Sequence, residues 1–125
     1  MATIDLTQGD FENAISKSGI TIVDFWASWC GPCRAFSPIF EEASLTHPDV
    51  TFAKVNTEEE QLLASSLKIS AIPTIMMYRD GILFYKESGA LPAENLNKII
   101  GLLKNIDMDQ VRSEMKNYEG AATKK

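Results

Sequence analysis

Runs of apolar residues alternate with amphipathic segments along most of the chain. The strongest run, Ile20–Trp26, is almost entirely β-branched or aromatic, which is typical of a strand covered on both faces. Shorter runs at Thr3–Leu6 and Val50–Val55 predict two further strands. Two more, Thr74–Tyr78 and Ile82–Lys86, flank an Asp-Gly pair and so predict a tight hairpin.

The segments between these runs carry apolar residues at helical spacing. After Cys30 they recur at i, i+3, i+4 and i+7, at Phe36, Ile39, Phe40 and Ala43. Thr7 is suited to cap an earlier helix, and Thr57 with Glu60 forms a capping-box pattern before a later one. Pro92 suits the first turn of another helix. The order β-α-β-α-β-α-β-β-α predicts an α/β fold, with a central mixed β-sheet flanked by helices on both faces.

The C-terminal segment continues beyond this pattern. Asp107–Glu119 predicts an extra short C-terminal helix, and an apolar stripe on one side favours packing against the rest of the protein. The stripe consists of Met108, Val111, Met115 and Tyr118. Lys124-Lys125 is interpreted as a solvated tail. We therefore divide the chain into a domain of residues 1–106 and a C-terminal extension of residues 107–125.

Composition narrows the classes of function. The 125 residues suit one domain, and the net charge of -5 with a pI near 4.8 argues against binding nucleic acid or an anionic membrane surface. The N-terminus has neither the basic start nor the apolar run of a secretory signal. No apolar run approaches the ~18 residues of a membrane span. We expect a cytoplasmic protein, and nothing in the sequence argues against a monomer.

The chain has two cysteines, Cys30 and Cys33, placed between the strongest strand and a helix. A helix N-terminus carries partial positive charge and free N–H groups, so a thiolate is stabilised there. Cys30 is therefore the expected nucleophile, and Cys33, one turn further in, is expected to be more buried. Gly31 and Pro32 shape the turn, because glycine permits close approach and proline fixes φ.

Three other interpretations of the pair compete with catalysis. A structural zinc site needs about four ligands, whereas the chain offers two cysteines and His47 as its single histidine. A purely structural disulfide would close so small a loop that it adds only ~2 kcal/mol of stability. Two inert buried thiols are the third possibility. Each is less favoured than catalysis, because a lone pair of cysteines in a reducing compartment is more often functional.

The stretch Trp29-Cys30-Gly31-Pro32-Cys33 resembles the active-site motif of the thioredoxin family. The likeness covers roughly residues 3–104, and further matching segments are Val23–Ala27, Pro38, Lys54–Asn56, Ala71–Thr74, Asp80-Gly81 and Gly89–Leu91. The resemblance implies the thioredoxin fold and a protein-disulfide reductase. Such a protein needs no cofactor or metal beyond its redox-active disulfide. It would act as a general electron carrier between a thioredoxin reductase and disulfide-containing proteins.

The resemblance also implies catalytic roles. Cys30 would attack a substrate disulfide, and Cys33 would then resolve the mixed disulfide. Asp24, a carboxyl in an otherwise apolar strand, resembles the family's buried aspartate. Burial raises the pKa of a carboxyl, so Asp24 could take the proton of Cys33 near neutral pH. Lys54 resembles the lysine that lies near this aspartate.

Further residues resemble the substrate-docking surface. Pro73 resembles the family's cis-proline, and the backbone of Ile72 would bind an extended substrate segment by strand-like hydrogen bonds. The candidate substrate-binding residues are Trp29, Gly31, Pro32, Ile72, Pro73, Gly89 and Ala90. Two positions depart from the family: Arg34 stands where lysine is frequent, and Ser88 stands where a small apolar residue is common.

Two rival functions remain open. On the same fold, an oxidase or isomerase would need an oxidising compartment, and Gly-Pro between the cysteines resembles the reductants instead. A binding or scaffold module would use the docking surface more than the thiols. The extension of residues 107–125, which the family pattern lacks, motivates this second rival.

Overall fold

A computed structural model describes the backbone of residues 2–123 and the side chains of residues 2–118. Within that range the chain forms, in order, β1 (Thr3–Asp5), α1 (Gln8–Ile15), β2 (Ile20–Trp26), α2 (Gly31–Thr46), β3 (Thr51–Asn56), α3 (Gln61–Ser66), β4 (Thr74–Arg79), β5 (Ile82–Ser88), α4 (Ala93–Lys104) and α5 (Met108–Thr123). No helix in this range is long and apolar enough to cross a membrane.

The strands form one sheet with β2 in the middle. The order across the sheet is β1-β3-β2-β4-β5, in which β1, β3 and β2 are parallel and the β4–β5 hairpin is antiparallel. The predicted mixed sheet is thus confirmed. In the pairing of β2 with β3, Asp24 lies beside Lys54. Their side chains therefore leave the sheet on the same face.

Each face of the sheet has its own apolar core, which explains why β2 is apolar at nearly every position. Ile20 and Ile22 point to one face and Val23 and Phe25 to the other. On the first face they meet residues of α2 and α4, namely Phe36, Phe40, Ala43, Leu96, Ile100 and Leu103. On the second face they meet residues of α1 and α3, namely Phe11, Ala14 and Leu63. The predicted helices on both faces are therefore confirmed.

The predicted capping box before α3 is wrong. Thr57 lies in a turn, and its hydroxyl donates a hydrogen bond of 3.0 Å to the carbonyl of Trp26. The backbone N–H of Glu58 donates to Asn56 Oδ1 at 2.9 Å, so this turn is closed by another side chain. The helix begins only at Gln61, and Glu60 at its N-cap makes no capping hydrogen bond through its side chain.

The C-terminal helix is longer than expected, and its apolar stripe packs only at the first turn. It runs from Met108 to Thr123 rather than over 107–119. Met108 is buried, whereas Met115 is 42% exposed and Tyr118 is 78% exposed. Arg112 joins this first part of the helix to the β4–β5 turn through Asp80, at 3.4 Å. The tail Lys124-Lys125 lies outside the described residues.

This arrangement predicts unequal effects for two methionines on one helix. Met108→Ala is expected to lower the free energy of unfolding by about 2 kcal/mol, because it removes a side chain buried at 5% exposure. Met115→Ala is the matched control and should change it by less than about 0.5 kcal/mol. Urea unfolding of both variants measures this. Equal effects would show that the packing continues along the helix.

Candidate active site

The two cysteines stand where a strand ends and α2 begins. Cys30 is the N-cap of α2, with extended backbone at φ -84° and ψ 112°, and Pro32 lies in the first turn. Cys30 and Cys33 form a disulfide, with their Cα atoms 5.2 Å apart. The backbone N–H of Cys33 donates to Cys30 Sγ at 3.1 Å. This amide of the first helical turn is therefore aimed at the sulfur that would carry negative charge after reduction.

The burial of the two cysteines does not differ as predicted. Cys30 is 4% exposed and Cys33 is 3% exposed, so both are almost completely buried and this oxidised state shows no appreciable contrast between them. Because the sulfurs are bonded, they share one small apolar cluster with Ala27. Trp26 and Ile72 pack against that cluster.

A loop before β4 closes over the disulfide. The Ile72–Pro73 peptide bond is cis, as the resemblance implies. The carbonyl oxygen of Ile72 lies 3.7 Å from Cys30 Sγ. Pro73 is held by the following loop, since the Gly89 N–H donates to the Pro73 carbonyl at 2.8 Å. Gly89 has φ +109°, a backbone conformation that favours glycine, so this residue type is required by the turn.

Trp29 stands beside the disulfide and is 68% exposed. It borders a shallow groove of about 190 Å³. The groove is lined by Trp29, Thr57, Ile69, Ser70, Ala71 and Ile72. Sequence reasoning missed four of these residues as binding candidates, although Ala71 belongs to one of the matching segments. Gly31, Pro32, Gly89 and Ala90 are exposed around the same end of the sheet.

The two departures from the family pattern lie at the site's margin. The Arg34 guanidinium donates to the carbonyl of Ser28 at 2.8 Å, so it braces the loop before the cysteines. The hydroxyl of Ser88 lies 3.3 Å from that of Thr74, across the β4–β5 pairing. Both side chains therefore have local hydrogen-bond partners.

Asp24 is fully buried, and neither oxygen of its carboxyl has a hydrogen-bond partner in the described part of the chain. Burial away from water raises its pKa from 3.8 to about 7, and the positive charge of Lys54 partly opposes this rise. The Lys54 ammonium does not form an ion pair with Asp24. It donates to Ser37 Oγ at 3.2 Å and lies 5.1 Å from the centre of the Trp26 ring.

The described residues contain no group of three or more His, Cys, Asp or Glu side chains arranged to hold a metal ion. His47 is engaged elsewhere. Its Nε2 lies 2.9 Å from Asn97 Oδ1 and its Nδ1 lies 3.1 Å from Lys104 Nζ, on the exposed surface. His47 thus has polar partners that are not metal ligands.

Comparisons with known proteins agree on one family. The thioredoxin family model matches residues 2–101. A Streptomyces coelicolor protein provisionally named thioredoxin 2 is 38% identical over 121 residues, which span 97% of this chain and 90% of that protein. The thioredoxin of Alicyclobacillus acidocaldarius is 41% identical over 96 residues, 76% of this chain and 91% of the relative.

A solved structure agrees as well. A point mutant of the thioredoxin from Halobacterium salinarum superposes with a TM-score of 0.77 at 26% identity, covering 83% of this chain and 92% of that one. The Streptomyces alignment must extend into residues 107–125, because it spans 97% of the chain. The extension therefore has a counterpart in this relative, although the family model itself ends at residue 101.

Proposed function

This chain belongs to the thioredoxin family, and we propose from that premise how its residues divide the work of disulfide reduction. It is a thiol–disulfide oxidoreductase that reduces disulfides by dithiol exchange. In the proposal Cys30 is the nucleophile, Cys33 is the resolving cysteine, and Asp24 with Lys54 handles the proton. One observation carries the assignment of the nucleophile: the Cys33 N–H points at Cys30 Sγ, at 3.1 Å, on the first turn of α2.

The exchange proceeds in two displacements. The Cys30 thiolate attacks one sulfur of a substrate disulfide, and the other substrate sulfur leaves as a thiolate that takes a proton. Cys33 then loses its proton and attacks Cys30 Sγ in the mixed disulfide. The second substrate sulfur leaves, and the Cys30–Cys33 disulfide forms. Two electrons have passed from the cysteine pair to the substrate, which ends with two thiols.

Asp24 is the proposed proton acceptor for Cys33. A carboxyl with a pKa of about 7 is half ionised near neutral pH, so it can both take a proton and release it again. The burial of Asp24 and the absence of a hydrogen-bond partner for its carboxyl, among residues 2–118, support this role. Lys54 keeps the pKa from rising further through its positive charge.

The proposed docking surface surrounds the disulfide. The backbone of Ile72, ahead of cis-Pro73, would pair with an extended substrate segment, as an added strand pairs with a sheet edge. Exposed Trp29 would cover apolar parts of the substrate. The rest of the surface consists of Gly31, Pro32, Gly89 and Ala90, which lack bulky side chains and so leave room for a partner's backbone.

The proposed setting is the cytoplasm, where the protein would act as a monomeric, general electron carrier. Disulfide-containing proteins would be its substrates, and a thioredoxin reductase would return electrons to Cys30 and Cys33. The Gly-Pro pair between the cysteines supports a reductant over an isomerase. The acidic surface, with a net charge of -5, favours protein partners over nucleic acid.

The reduction potential of the Cys30/Cys33 pair tests this function. We expect about -270 mV, the value characteristic of thioredoxins, when the full chain is equilibrated with a defined dithiol buffer. Pro32→His is the control, and we expect it to raise the potential because Gly-His resembles the isomerases. A value near about -180 mV for the unaltered chain would contradict a reductase and support the isomerase or oxidase alternative.

A further inference from the structure

Lys54 lies beside the buried Asp24 in the sheet, but its ammonium donates its hydrogen bond to a different residue. The two residues are neighbours in the β2–β3 pairing, and their side chains leave the sheet on one face. The ammonium nevertheless donates its hydrogen bond to Ser37 Oγ, on α2, at 3.2 Å. Ser37 is four residues after Cys33 on that helix, so it lies on the helix face that also presents the resolving cysteine.

The other side of Lys54 faces a cavity with an acidic rim. This cavity has a volume of about 260 Å³ and is lined by Lys54, Trp26, Leu6, Thr7, Asn56, Asp5, Glu59 and Glu60. Three of its lining residues, Asp5, Glu59 and Glu60, are acidic, and their charges would favour an outward position of the Lys54 ammonium. Trp26 holds the ammonium only weakly, with the ring centre 5.1 Å away. The hydroxyl of Ser37 is the hydrogen-bonding partner that opposes the outward pull.

We propose that Ser37 is a positioning residue, whose hydroxyl holds the Lys54 ammonium on the inner side of this cavity, next to the Asp24 carboxyl. Lys54 is then close enough to act on Asp24 through its charge, yet it is not paired with the carboxyl. A direct ion pair would keep Asp24 ionised near neutral pH and unable to retain a proton. Release of Lys54 into the cavity would leave Asp24 protonated to higher pH.

Among the residues that the structure describes, Lys54 is the charged group that acts on the Asp24 carboxyl. On β4, the residue paired with Asp24 is the apolar Ile75. On α2, Arg34 is turned to the carbonyl of Ser28, and Glu41 accepts from the hydroxyl of Thr3. In the oxidised protein Cys33 is bonded to Cys30 and does not titrate. The position of Lys54 therefore sets the electrostatic field at Asp24, and Ser37 sets the position of Lys54.

The test is the titration of the Asp24 carboxyl carbon by NMR, in the oxidised full-length protein. Ser37→Ala is expected to raise the pKa of Asp24 by about 0.5 pH unit, and Lys54→Met by about 1 pH unit or more. Ser37→Thr keeps the hydroxyl and should leave the pKa unchanged. Ser44→Ala is the matched control, because this serine of α2 donates to the Glu41 carbonyl and does not contact Lys54.

An unchanged or lowered pKa in Ser37→Ala would overturn the proposal, and so would an unchanged pKa in Lys54→Met. A rise in Ser37→Ala with no rise in Ser37→Thr or Ser44→Ala would support it. The kinetic consequence rests on the proposed role of Asp24, so the pH profile of mixed-disulfide resolution is measured separately. If Ser37→Ala shifts the pKa of Asp24 but leaves this pH profile unchanged, the positioning of Lys54 by Ser37 is supported and the proposed proton-transfer role of Asp24 is contradicted.

Discussion

Cys30→Ser is expected to abolish disulfide reduction, with turnover falling by at least about 1,000-fold. Serine at this position would have to attack as an alkoxide, which is far less available than a thiolate near neutral pH. The Cys33 N–H, which lies 3.1 Å from the sulfur, would still point at the side chain, but no nucleophile would remain there. Turnover of a protein disulfide such as those of insulin, with a dithiol as electron source, measures the loss.

Cys33→Ser is the control that separates the two steps. It keeps the nucleophile, so a single attack is expected to trap the substrate on Cys30 as a mixed disulfide that mass spectrometry detects. Full turnover by Cys30→Ser would contradict the proposed mechanism. Replacing both cysteines by serine addresses the scaffold alternative, since a purely binding role would survive that change and a reductase would not.

Asp24→Asn is expected to stabilise the oxidised protein at pH 8 by about 2 to 4 kcal/mol, with little gain at pH 4. Burial raises the pKa of Asp24 from 3.8 to about 7 in the folded protein. Between these two values the folded state keeps a proton that the unfolded chain has released. Stability contributed by this group is therefore full below about pH 4 and is lost as the pH rises to about 7. Asparagine has no such penalty.

Urea unfolding of the oxidised variant and parent at pH 4 and pH 8 measures this effect. Asp49→Asn is the control, because Asp49 is an exposed carboxyl whose pKa is lowered by its hydrogen bond with Lys104. That substitution should not stabilise the protein at pH 8. The other carboxyls are present in both proteins, so they cancel when the parent is compared with Asp24→Asn. If the difference in their free energies of unfolding did not change between pH 4 and pH 8, a raised pKa for Asp24 would be contradicted.

Asp24→Asn should also slow the second step of disulfide exchange. Without a carboxyl to take the proton of Cys33, resolution of the mixed disulfide is expected to slow by about 100-fold near pH 7. The first attack by Cys30 should change much less. Asp24→Asn would then be a more stable and slower protein, which is the usual cost of a buried charge kept for function.

Local sequence patterns predicted the fold well where the structure of a segment depends mainly on its own residues. The central strand has the predicted bounds Ile20–Trp26, because its apolar character is continuous and both faces are covered. The capping box at Thr57 failed for a non-local reason. The Thr57 hydroxyl bonds the carbonyl of Trp26, which is 31 residues away in sequence. No pattern confined to residues 57–60 contains that partner.

The site shows the same division. The sequence alone predicted that Cys30 and Cys33 lie just before a helix. The candidate residues around them came from the family resemblance. Ser37 carried no signal, because its importance depends on Lys54, which comes from another element 17 residues later. The equal burial of the two cysteines also escaped prediction, since it depends on the disulfide and on the loop at Ile72.

The position of β2 between β3 and β4 has a consequence for how the protein loses its activity. Backbone amides in a central strand exchange with solvent only when most of the molecule opens, whereas edge strands such as β1 and β5 can fray independently. The disulfide is attached to the end of that most protected strand. We therefore expect the disulfide to stay on the part of the sheet that opens last, whereas Gly89, which directly follows the edge strand β5 and holds Pro73, is exposed to local fraying of that edge.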